Sequence, residues 1–587
     1  MLTTIFYKPY FSTTFFNSKN LGLLMKNQEV ADLLREIAEY LEITDVPFKP
    51  RAYQRAALVI ETLAEPIEDI WKAGKLEDIP SVGEGIAKKI AEYLEKGKSA
   101  YLKKLKKELP IDADALLSVG GLGPKKVKIL YKTLNIKNIE DLKKAAEQKK
   151  IRNIEGFGEK TENTILEGIT FLQKTENRIS LGFALPLAES LKDQLLASKR
   201  VHTAEIAGSL RRSKETIGDI DLLAASDNPK RAVEAFLTIA APKALLGKGE
   251  KKCSVILTSG MQVDLRIVKR EEFGAALQYF TGSKSHNIAL RNKAIKKGYK
   301  LNEYGLFKRN KRIAGGTEDS IYKKLGMAFI PPEMRENLGE IQLAEKGSIP
   351  PLVKLKDIKG DFHTHTIYSD GRASIEEMIK KAESLGYSFI GISDHFGHLR
   401  IANAMDEQRI KKQWKEINAV QKKHPKIKIV KGAEVNINKD GSLDIPPAVL
   451  RSLDYAIISV HTNFKMGKQE MTKRICDAME HENILVLGHP TGGMIGERKP
   501  YEVDFDEVVL AAKQHNIALE INSQSKRMDL ASPLAKAAIE QGCRVSINTD
   551  AHYPDSLEFM RFGVGIARRA WAGKADIINA KELKQKS

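Results

Sequence analysis

Apolar and polar positions follow the period of amphipathic helices from residue 25 to about residue 178, with short glycine-containing turns between them. The first helix is predicted to begin at Met25, because apolar residues from Val30 to Leu41 share one face. Residues 1–24 are aromatic and rich in Ser and Thr, show little periodicity and lack the continuous apolar core of a signal peptide. We interpret them as a disordered extension or an upstream, mis-assigned start, with a targeting peptide as the alternative.

The rest of the chain changes pattern twice. Between residue 179 and about residue 335, strand-like runs such as VDLRIV (263–268) mix with helical segments, which predicts an α+β domain. Residues 330–355 contain two Pro-Pro pairs among polar residues and are interpreted as a linker. Beyond them, apolar strands alternate with helical segments to the end, the pattern of a βα-repeat domain.

One short pattern recurs three times in the helical region: IPSVGEGIAKKI (79–90), VGGLGPKKVKIL (119–130) and IEGFGEKTENTI (154–165). Glycine lets such a turn approach another backbone closely, and the N–H groups at the start of the following helix can face a phosphate. The pattern resembles the helix-hairpin-helix motif, which implies binding to the DNA backbone without base readout. Ordinary packing of two helices across a turn is the alternative.

Composition agrees with a large protein that binds a polyanion. With 587 residues the chain is too long for one core, so about three or four domains are expected. Lys and Arg number 95 against 76 Asp and Glu, a net charge of +19, which favours nucleic acid as a partner; a generally basic surface is the alternative. Three cysteines without paired spacing indicate a reducing, cytosolic compartment. No apolar run reaches the ~20 residues that cross a bilayer.

Two aspartates separated by one apolar residue, Asp219 and Asp221 in GSLRRSKETIGDID, indicate a metal site. Side chains at i and i+2 point to the same face of a strand, and the alternation from Met261 to Ile267 places Asp264 on the polar face of a second strand. Three converging carboxylates repel one another unless divalent cations lie among them, and Mg²⁺ prefers oxygen ligands. The alternative is a GDID turn whose acids pair with nearby Arg and Lys.

The residues upstream of these aspartates suit a nucleotide. The Gly208–Ser209 turn can offer backbone and hydroxyl donors to a triphosphate, and Arg212 can act as a cationic clamp. Two metal ions can activate a 3′-hydroxyl and stabilise a leaving pyrophosphate in an in-line displacement.

GS-x-RR with GDID, followed by VDLR, YFTGS and NEYGLF, resembles the family X DNA polymerases, the polymerase β-like repair enzymes, from about Lys26 to Pro331. The resemblance implies that Asp219, Asp221 and Asp264 hold Mg²⁺ or Mn²⁺ for nucleotidyl transfer. It also implies a set of substrate-binding residues: Ser209, Arg212 and Gly218 for the triphosphate; Tyr279, Phe280 and Gly282 for the sugar; Asn287 for the incoming base; and Arg291, Glu303 and Tyr304 for the template and the closing subdomain.

Two positions, Gln262 and Gly85, depart from the family pattern. Gln262 stands where polymerase β-like enzymes often carry an arginine that supports the catalytic carboxylates. Lys89 matches the family's lyase nucleophile, a Schiff-base lysine that removes a 5′-deoxyribose phosphate, but Gly85 stands where a partner lysine is expected. The alternative is that Lys89 contacts a phosphate. Related hairpins also imply monovalent cations on the carbonyls near residues 79–82 and 119–122.

All but two of the 12 histidines lie beyond residue 360. Six of them follow or end apolar, strand-like runs, and three carboxylates hold comparable places. These nine residues are His363, His365, Asp370, His395, Glu434, His461, His489, Asp550 and His552. Side chains at the carboxyl ends of the strands of a βα-barrel gather at one mouth. Mixed imidazole and carboxylate ligands in this number suit several Zn²⁺ or Mn²⁺ ions, and structural strand-end histidines are the alternative.

The elements HTH, D, SDH, E, H, HP and TDAH resemble the PHP domain, the polymerase-and-histidinol-phosphatase family of distorted seven-stranded (βα)7 barrels, over about residues 358–570. The resemblance implies metal-assisted hydrolysis of phosphoesters with three Mn²⁺ or Zn²⁺ ions.

Together the two resemblances are those of the bacterial and archaeal form of family X. They predict a monomeric, cytoplasmic, nucleoid-associated repair polymerase that fills gaps with dNTPs on gapped or nicked DNA and processes 3′ ends as a 3′→5′ exonuclease.

Two other functions remain open from the sequence: a phosphatase or phosphodiesterase that an inactive polymerase half delivers to DNA, and a non-enzymatic scaffold for DNA ends.

The predicted fold is multidomain, with an all-α helix-hairpin-helix region, an α+β nucleotidyltransferase palm with a thumb, and the barrel. Its predicted segments are an extension (1–24), a lyase-like helix-hairpin-helix domain (25–110), a second helix-hairpin-helix region (111–178), the palm (179–270), a dNTP- and template-binding subdomain (271–335), a linker (336–357) and the barrel (358–575).

Overall fold

The computed structural model describes residues 18–583, apart from residues 45, 62, 64–65, 120–121 and 176–177. The chain divides into two compact units, Met1–Glu176 and Asn177–Ser587. None of the helices in the described ranges is long and apolar enough to cross a membrane. The predicted extension falls mostly outside the described residues, since only residues 18–24 of it are included.

The first unit is all α-helical in its described part, as predicted. Its helices are α1 (Ser18–Ile43), α2 (Lys49–Glu61), α3 (Ile67–Lys72), α4 (Glu84–Lys96), α5 (Ala100–Glu108), α6 (Ala113–Ser118), α7 (Pro124–Leu134), α8 (Ile139–Glu147) and α9 (Glu159–Thr175). Helix α1 begins at Ser18 rather than at Met25, and no proline interrupts the chain between Ser18 and Ile43 to end a helix there. The apolar face predicted from Val30 to Leu41 is buried in the core of this unit.

The first part of the second unit is an α+β fold. It contains β1 (Ile179–Ser180), α10 (Leu181–Ala197), β2 (Thr203–Ile206), α11 (Gly208–Arg211), β3 (Thr216–Ile217), β4 (Asp219–Ala225), α12 (Pro229–Ala240), β5 (Ala244–Lys248), β6 (Lys252–Ile256), β7 (Gln262–Val268), α13 (Phe273–Thr281), α14 (Lys284–Lys296), β8 (Lys300–Asn302), β9 (Gly305–Lys308), β10 (Lys311–Ala314), α15 (Glu318–Lys324) and α16 (Glu340–Glu345). A five-stranded sheet has the order β2-β4-β7-β6-β5, and β8–β10 form a small antiparallel sheet. The central strand, β7, runs parallel to its neighbour β4.

The second part is a barrel of parallel strands that alternate with helices. It contains β11 (Gly360–Asp361), α17 (Ile375–Ser384), β12 (Phe389–Ile392), β13 (His395–Phe396), α18 (Glu407–Lys423), β14 (Lys428–Asn436), α19 (Pro447–Ser452), β15 (Tyr455–Ser459), α20 (Lys468–Met479), β16 (Ile484–Leu487), α21 (Phe505–Gln514), β17 (Ala518–Asn522), α22 (Ser532–Glu540), β18 (Val545–Asn548) and α23 (Met560–Arg569). The strand order is β11-β12-β14-β15-β16-β17-β18, with β13 beside β14.

The barrel is nearly closed, because a parallel bridge between Thr364 and Ala551 joins the segments that follow its first and last strands. Strands such as β15 are buried along their whole length, as expected where a parallel sheet is covered by helices. This arrangement confirms the predicted (βα)7 fold and puts the carboxyl ends of the strands at one mouth.

The segment predicted as a linker is ordered. Helix α16 lies within it and buries Ile341 and Ala344. Val353 donates its backbone N–H to the carbonyl of Ala572 at 2.9 Å, which fixes the segment to the chain beyond α23. Polar composition and proline therefore mark a change of domain here without making the segment extended and exposed.

Candidate active sites in the sheet and the barrel

Three carboxylates meet at the centre of the five-stranded sheet, as the alternation along β7 predicts. Asp221 lies in register with Asp264 on the neighbouring parallel strand, and Asp219 lies opposite Gln262. One carboxylate oxygen from each aspartate falls within a group whose members lie within 4.8 Å of one another. The apolar residues between them, Ile220 and Val263, are fully buried on the other face. The core therefore fixes the direction of all three acids.

The electrostatics of this cluster call for a cation. Burial raises the pKa of Asp221 to about 7, and the charges of Asp219 and Asp264 add to that shift. Burial and the charge of Asp264 also raise the pKa of Asp219. Oδ1 of Asp264 is buried without a hydrogen-bond partner in the described structure. Clustered hard oxygen ligands with an unsatisfied buried oxygen fit Mg²⁺ or Mn²⁺.

Gly208 brings the turn before these strands against the carboxylates. Its φ of +62° is left-handed, and a Cβ there would lie 2.1 Å from Oδ2 of Asp221. Only glycine satisfies both conditions. The Gly208–Ser209 turn, which the sequence assigned to the triphosphate, thus begins α11 directly beside the carboxylate cluster.

The predicted sugar and base contacts lie at the end of α13 and the start of α14. Asn287 donates its amide Nδ2 to the carbonyl of Tyr279 at 2.7 Å. The guanidinium of Arg266 lies 4.6 Å from the centre of the Phe280 ring. A Cβ on Gly282 would lie 3.1 Å from Nη1 of Arg212, so this glycine admits the arginine.

The residues predicted to position the template follow these contacts in the sequence. Arg291 is exposed on α14, and Glu303 and Tyr304 lie in the turn between β8 and β9. Tyr304 is 50% exposed, which leaves its ring available to a partner. Their template roles stay predictions.

Two polar residues support the carboxylates beyond those predicted to bind metal or substrate. Gln262 donates its amide to Oδ2 of Asp264 at 3.3 Å, so the residue that departs from the family pattern still contacts that acid. Arg178, which the sequence did not single out, lowers the pKa of Asp219 against the effect of burial. Nη1 of Arg178 also lies 3.1 Å from the position of a Cβ on Gly218. A lone arginine before a two-residue strand gives no signal of this role.

Seven of the nine predicted barrel ligands form three overlapping groups at the strand ends. Each group has ligand atoms within 4.8 Å of one another: His363, His365 and Asp550; His365, Asp370 and His395; His395, Glu434 and His461. The two other predicted ligands adjoin these groups. Nε2 of His489 lies 3.0 Å from Oε1 of Glu434, and Nε2 of His552 lies 3.4 Å from Oδ2 of Asp370. The structure therefore brings all nine residues to one mouth.

Several imidazole nitrogens of this cluster are buried and have no hydrogen-bond partner in the described structure. They are Nε2 of His363, both ring nitrogens of His365, Nδ1 of His461 and Nδ1 of His489. Burial lowers the pKa of His395 to about 3 and that of His489 to about 4. Buried imidazoles whose ring nitrogens lack hydrogen-bond partners, set among carboxylates, fit Zn²⁺ or Mn²⁺.

Carboxylates that the sequence pattern did not reveal lie behind these ligands and hold their orientation. Nδ1 of His363 lies 2.8 Å from Oε1 of Glu520, in the middle of β17. Asp394 accepts hydrogen bonds from the N–H of Thr366 at 2.7 Å and from its hydroxyl at 2.6 Å, which fixes the loop that carries Asp370. An acid inside a buried strand, as in ALEIN, is the signal that could have identified Glu520.

The three repeated turns of the helical unit share one geometry. The N–H groups of Val82, Leu122 and Phe157 donate to carbonyls three residues earlier, at 3.0, 3.1 and 2.9 Å. Helices α4, α7 and α9 begin just after these turns. A Cβ on Gly83, Gly123 or Gly158 would meet nothing within 4 Å. Each turn therefore presents the start of a helix with open space before it, as a phosphate-binding hairpin requires.

Lys89 lies on α4, in the first of these hairpins. Its Nζ donates to the carbonyl of Gly85 at 2.8 Å and lies 4.6 Å from the ring centre of Tyr101 and 5.9 Å from that of Tyr53. The ammonium group is thus held beside two aromatic rings. Both the lyase role and the phosphate contact stay predictions.

Comparison with known families finds matches to the helical unit, to part of the α+β region and to the barrel. Family profiles match a helix-hairpin-helix domain at residues 25–99, a SAM-like helix-hairpin-helix tandem at 113–170, a DNA polymerase beta thumb at 276–336 and a PHP domain at 361–550. The chain is 37% identical over 572 residues to the DNA polymerase/3′-5′ exonuclease PolX of Bacillus subtilis, covering 95% of this chain and 98% of that protein.

Shorter relatives match about a third of the chain. A probable phosphatase of Clostridium acetobutylicum is 33% identical over 205 residues, which are 33% of this chain and 78% of that protein. A probable phosphatase of Caldicellulosiruptor saccharolyticus is 31% identical over 205 residues, 33% of this chain and 80% of that protein.

Proposed function

The chain belongs to the family X DNA polymerases that carry a carboxy-terminal PHP domain, and we propose that it fills short gaps in DNA and trims 3′ ends at two separate sites. Membership of this family makes it a DNA-binding nucleotidyltransferase that uses dNTPs and divalent metal ions. The observation that carries the proposal is that one chain holds two unrelated ligand clusters, one of three carboxylates and one rich in imidazole.

In the synthetic reaction, the chain's own residues bind and orient. Asp219, Asp221 and Asp264 would hold Mg²⁺ or Mn²⁺. When bound there, such ions supply positive charge that favours ionisation of the primer 3′-hydroxyl and stabilises the leaving pyrophosphate. Ser209 and Arg212 would bind the triphosphate, and α13 would present Tyr279 and Phe280 to the sugar. The helix-hairpin-helix turns would bind backbone phosphates near the gap, so binding should weaken steeply with salt.

The synthetic assignment is tested by primer extension on a one-nucleotide gap. Asp219→Ala/Asp221→Ala should abolish extension, because the remaining carboxylate cannot hold the cations alone. Asp227→Ala changes an exposed aspartate of the same domain and should extend normally. Extension that survives the double substitution, or is absent from the parent protein, contradicts the assignment.

In the barrel, we propose hydrolysis of 3′-terminal phosphodiesters. The nine residues at the mouth would hold Mn²⁺ or Zn²⁺, and such ions would supply activation of a water molecule and positive charge to offset that of the phosphate. Both ring nitrogens of His365 are buried, and its Nε2 lies 3.2 Å from Oδ1 of Asp550, another predicted ligand, which supports metal ligation as the role of this side chain.

The hydrolytic assignment is tested by Mn²⁺-dependent digestion of a labelled 3′ end. His363→Ala/His365→Ala should abolish digestion and spare extension, whereas His481→Ala/His515→Ala, which removes two histidines outside the cluster, should leave both. Equal loss of digestion and extension in the first variant contradicts two separate sites.

A second function is favoured by one observation, since the relatives that match about a third of the chain bear the name probable phosphatase. The barrel would then hydrolyse small phosphate monoesters, and the polymerase half would deliver it to DNA. Parallel assays with p-nitrophenyl phosphate and a labelled 3′ end decide between the two, because a nuclease should digest the DNA end far faster than the monoester at equal concentration. A scaffold would do neither.

We place the protein in the bacterial cytoplasm, associated with the nucleoid, and expect it to act as a monomer. A monomer is expected because each ligand cluster is complete within one chain. Sedimentation of the full chain with and without gapped DNA tests this expectation.

A further inference from the structure

A helix of the barrel covers the segment that carries the predicted triphosphate clamp. This segment, residues 211–215, joins the Gly208–Ser209 turn to the strands of the carboxylate cluster. Arg569, in the last turn of α23, donates from Nη1 to the carbonyl of Arg212 at 2.8 Å. Glu215 accepts the N–H of Ser532, the first residue of α22, at 2.6 Å. A Cβ on Gly565 would lie 2.9 Å from Cβ of Ser213, so α23 packs directly on the segment.

The same arginine shares a carboxylate with Arg212. Oε1 of Glu336 accepts a hydrogen bond from Nε of Arg212 at 2.9 Å and another from Nη1 of Arg569 at 3.0 Å. Burial raises the pKa of Glu336, but the charges of Arg212 and Arg569 lower it by more, so the net shift is downward. The carboxylate is therefore charged at neutral pH. Arg212 and Arg569 are only 10% and 8% exposed, so water screens these contacts weakly.

We propose that Arg569 is a positioning residue for nucleotide binding, through which the nuclease barrel keeps Arg212 available to the dNTP triphosphate. This inference rests on the proposed assignment of Arg212 to the triphosphate. A triphosphate oxygen must compete for the guanidinium of Arg212 with Glu336, which accepts from Nε, and with the carbonyl of Thr281, which accepts from Nη1. A carboxylate that also binds Arg569 attracts Arg212 less than one that binds it alone, and the bond to the Arg212 carbonyl fixes the backbone from which the clamp extends.

Removal of Arg569 should therefore weaken nucleotide binding more than it slows the chemical step. Without Arg569, Glu336 keeps its hydrogen bond to Arg212 and loses the one to Arg569. The 211–215 segment loses the bond to the Arg212 carbonyl but keeps the bond between Glu215 and Ser532. The three aspartates keep their strand register, which Arg569 does not contact. The predicted signature is a higher apparent Kd for the dNTP with a nearly unchanged maximal rate.

The experiment is single-turnover filling of a one-nucleotide gap by the full-length protein over a range of dNTP concentrations. Arg569→Gln should raise the apparent Kd about 5- to 20-fold, the range expected for loss of charge-assisted hydrogen bonds, and Arg569→Lys should lie between it and the parent. Arg561→Gln is the matched control, because Arg561 also lies on α23 but pairs with Glu189 on α10 at 2.9 Å. It should stay within about twofold of the parent.

A double-substitution cycle separates positioning from a general loss of structure. If Arg569 acts partly through Glu336, Arg569→Gln should raise the apparent Kd less in a Glu336→Gln background than in the parent, because only its bond to the Arg212 carbonyl is then left to lose. Ser532→Ala offers a milder variant, since Oγ of Ser532 accepts a bond from Nε of Arg569 at 3.2 Å, and should shift the Kd in the same direction by a smaller amount.

An unchanged Kd in Arg569→Gln, a fall in maximal rate without a change in Kd, or full additivity with Glu336→Gln overturns the proposal. These outcomes differ from failure of the proposed function, in which the parent protein itself does not fill the gap. If Arg569→Gln is not obtained folded, as judged by its thermal midpoint, Arg569→Lys and Ser532→Ala carry the same test.

Discussion

Nδ1 of His363 and Oε1 of Glu520 lie 2.8 Å apart in the fully buried floor of the barrel mouth. The carboxylate must be the acceptor, so Nδ1 carries a proton, and Nε2 of His363 is the nitrogen that faces the cluster of ligands, 3.3 Å from Oε2 of Glu434. Glu520 also accepts hydrogen bonds from the N–H of His489 at 2.7 Å and from the amide of Asn548 at 2.9 Å. One acid on β17 thus orients two predicted ligands that follow different strands, β11 and β16.

We predict that Glu520→Gln lowers Mn²⁺ affinity and 3′ digestion by about 10- to 100-fold, the usual cost of losing a carboxylate that orients a histidine ligand. The amide can still accept one hydrogen bond, but it lacks the charge that makes the imidazole a better ligand. Digestion rates against Mn²⁺ concentration measure the effect, and gap filling by the same variant should not change.

Glu502→Gln, an exposed change in the same barrel, serves as the control. Equal digestion by the Glu520 variant and the parent at limiting Mn²⁺ would show that Glu520 does not support the site.

Gly208 offers a second prediction, because crowding by Asp221 and the left-handed backbone can be tested separately. Gly208→Ala puts a methyl group where Oδ2 of Asp221 lies and strains a left-handed backbone. We expect extension to fall at least about 100-fold, since a shift of about 1 Å in a catalytic group costs that much. Gap filling under single-turnover conditions measures it.

Gly260→Ala is the matched control, because Gly260 has a φ of +83° and nothing within 4 Å of its Cβ position. That variant carries backbone strain without crowding and should be slightly less stable but fully active. If both variants lose activity equally, strain rather than crowding explains the effect.

The sequence predicted those parts of the sites that local periodicity determines. Alternation along residues 261–267 is enough to place Asp264 beside Asp221, because one buried face fixes the register of β7 against β4. Histidines at strand ends are likewise found from pattern alone, since parallel strands of a barrel end at one mouth. Contacts between distant segments leave no such signal. Arg569 binds the carbonyl of a residue 357 positions earlier, and nothing in RRAWAG indicates it.

Lys89 gives a prediction that separates its two proposed roles. Because Gly85 replaces the partner lysine, we expect Lys89 to bind phosphate, so that Lys89→Ala weakens binding to gapped DNA and lowers the slope of log K against log salt by about one. Borohydride reduction in the presence of a 5′-deoxyribose phosphate substrate should then trap no adduct on the parent protein.

Lys88→Ala is the neighbouring control, because Lys88 pairs with Glu84 at 2.6 Å instead. An adduct that forms on the parent and Lys88→Ala but not on Lys89→Ala would assign the lyase to Lys89.

Glu318 leads to a prediction about stability and pH. It accepts hydrogen bonds from Nη1 of the fully buried Arg335 at 2.6 Å and from Nη2 of Arg211 at 2.6 Å. Burial raises the pKa of Glu318, but the two arginines lower it more, so its pKa in the folded protein lies below 4.5. Glu318→Gln leaves two arginines without their carboxylate and should cost about 3–5 kcal/mol of stability at pH 7.

A folded-state pKa below the unfolded one gives stability that is fully present above about pH 4.3 and is lost as the pH falls through the folded value. The difference in thermal midpoint between the parent and Glu318→Gln should therefore be constant from pH 7 to about pH 5 and shrink on further acidification. Glu345→Gln is the control, because Glu345 pairs with Lys293 and is more exposed than Glu318. This change should cost less than about 1 kcal/mol of stability at any of these pH values. A difference that grows on acidification, or equal losses in the two variants, would contradict a charged Glu318 held between the two arginines.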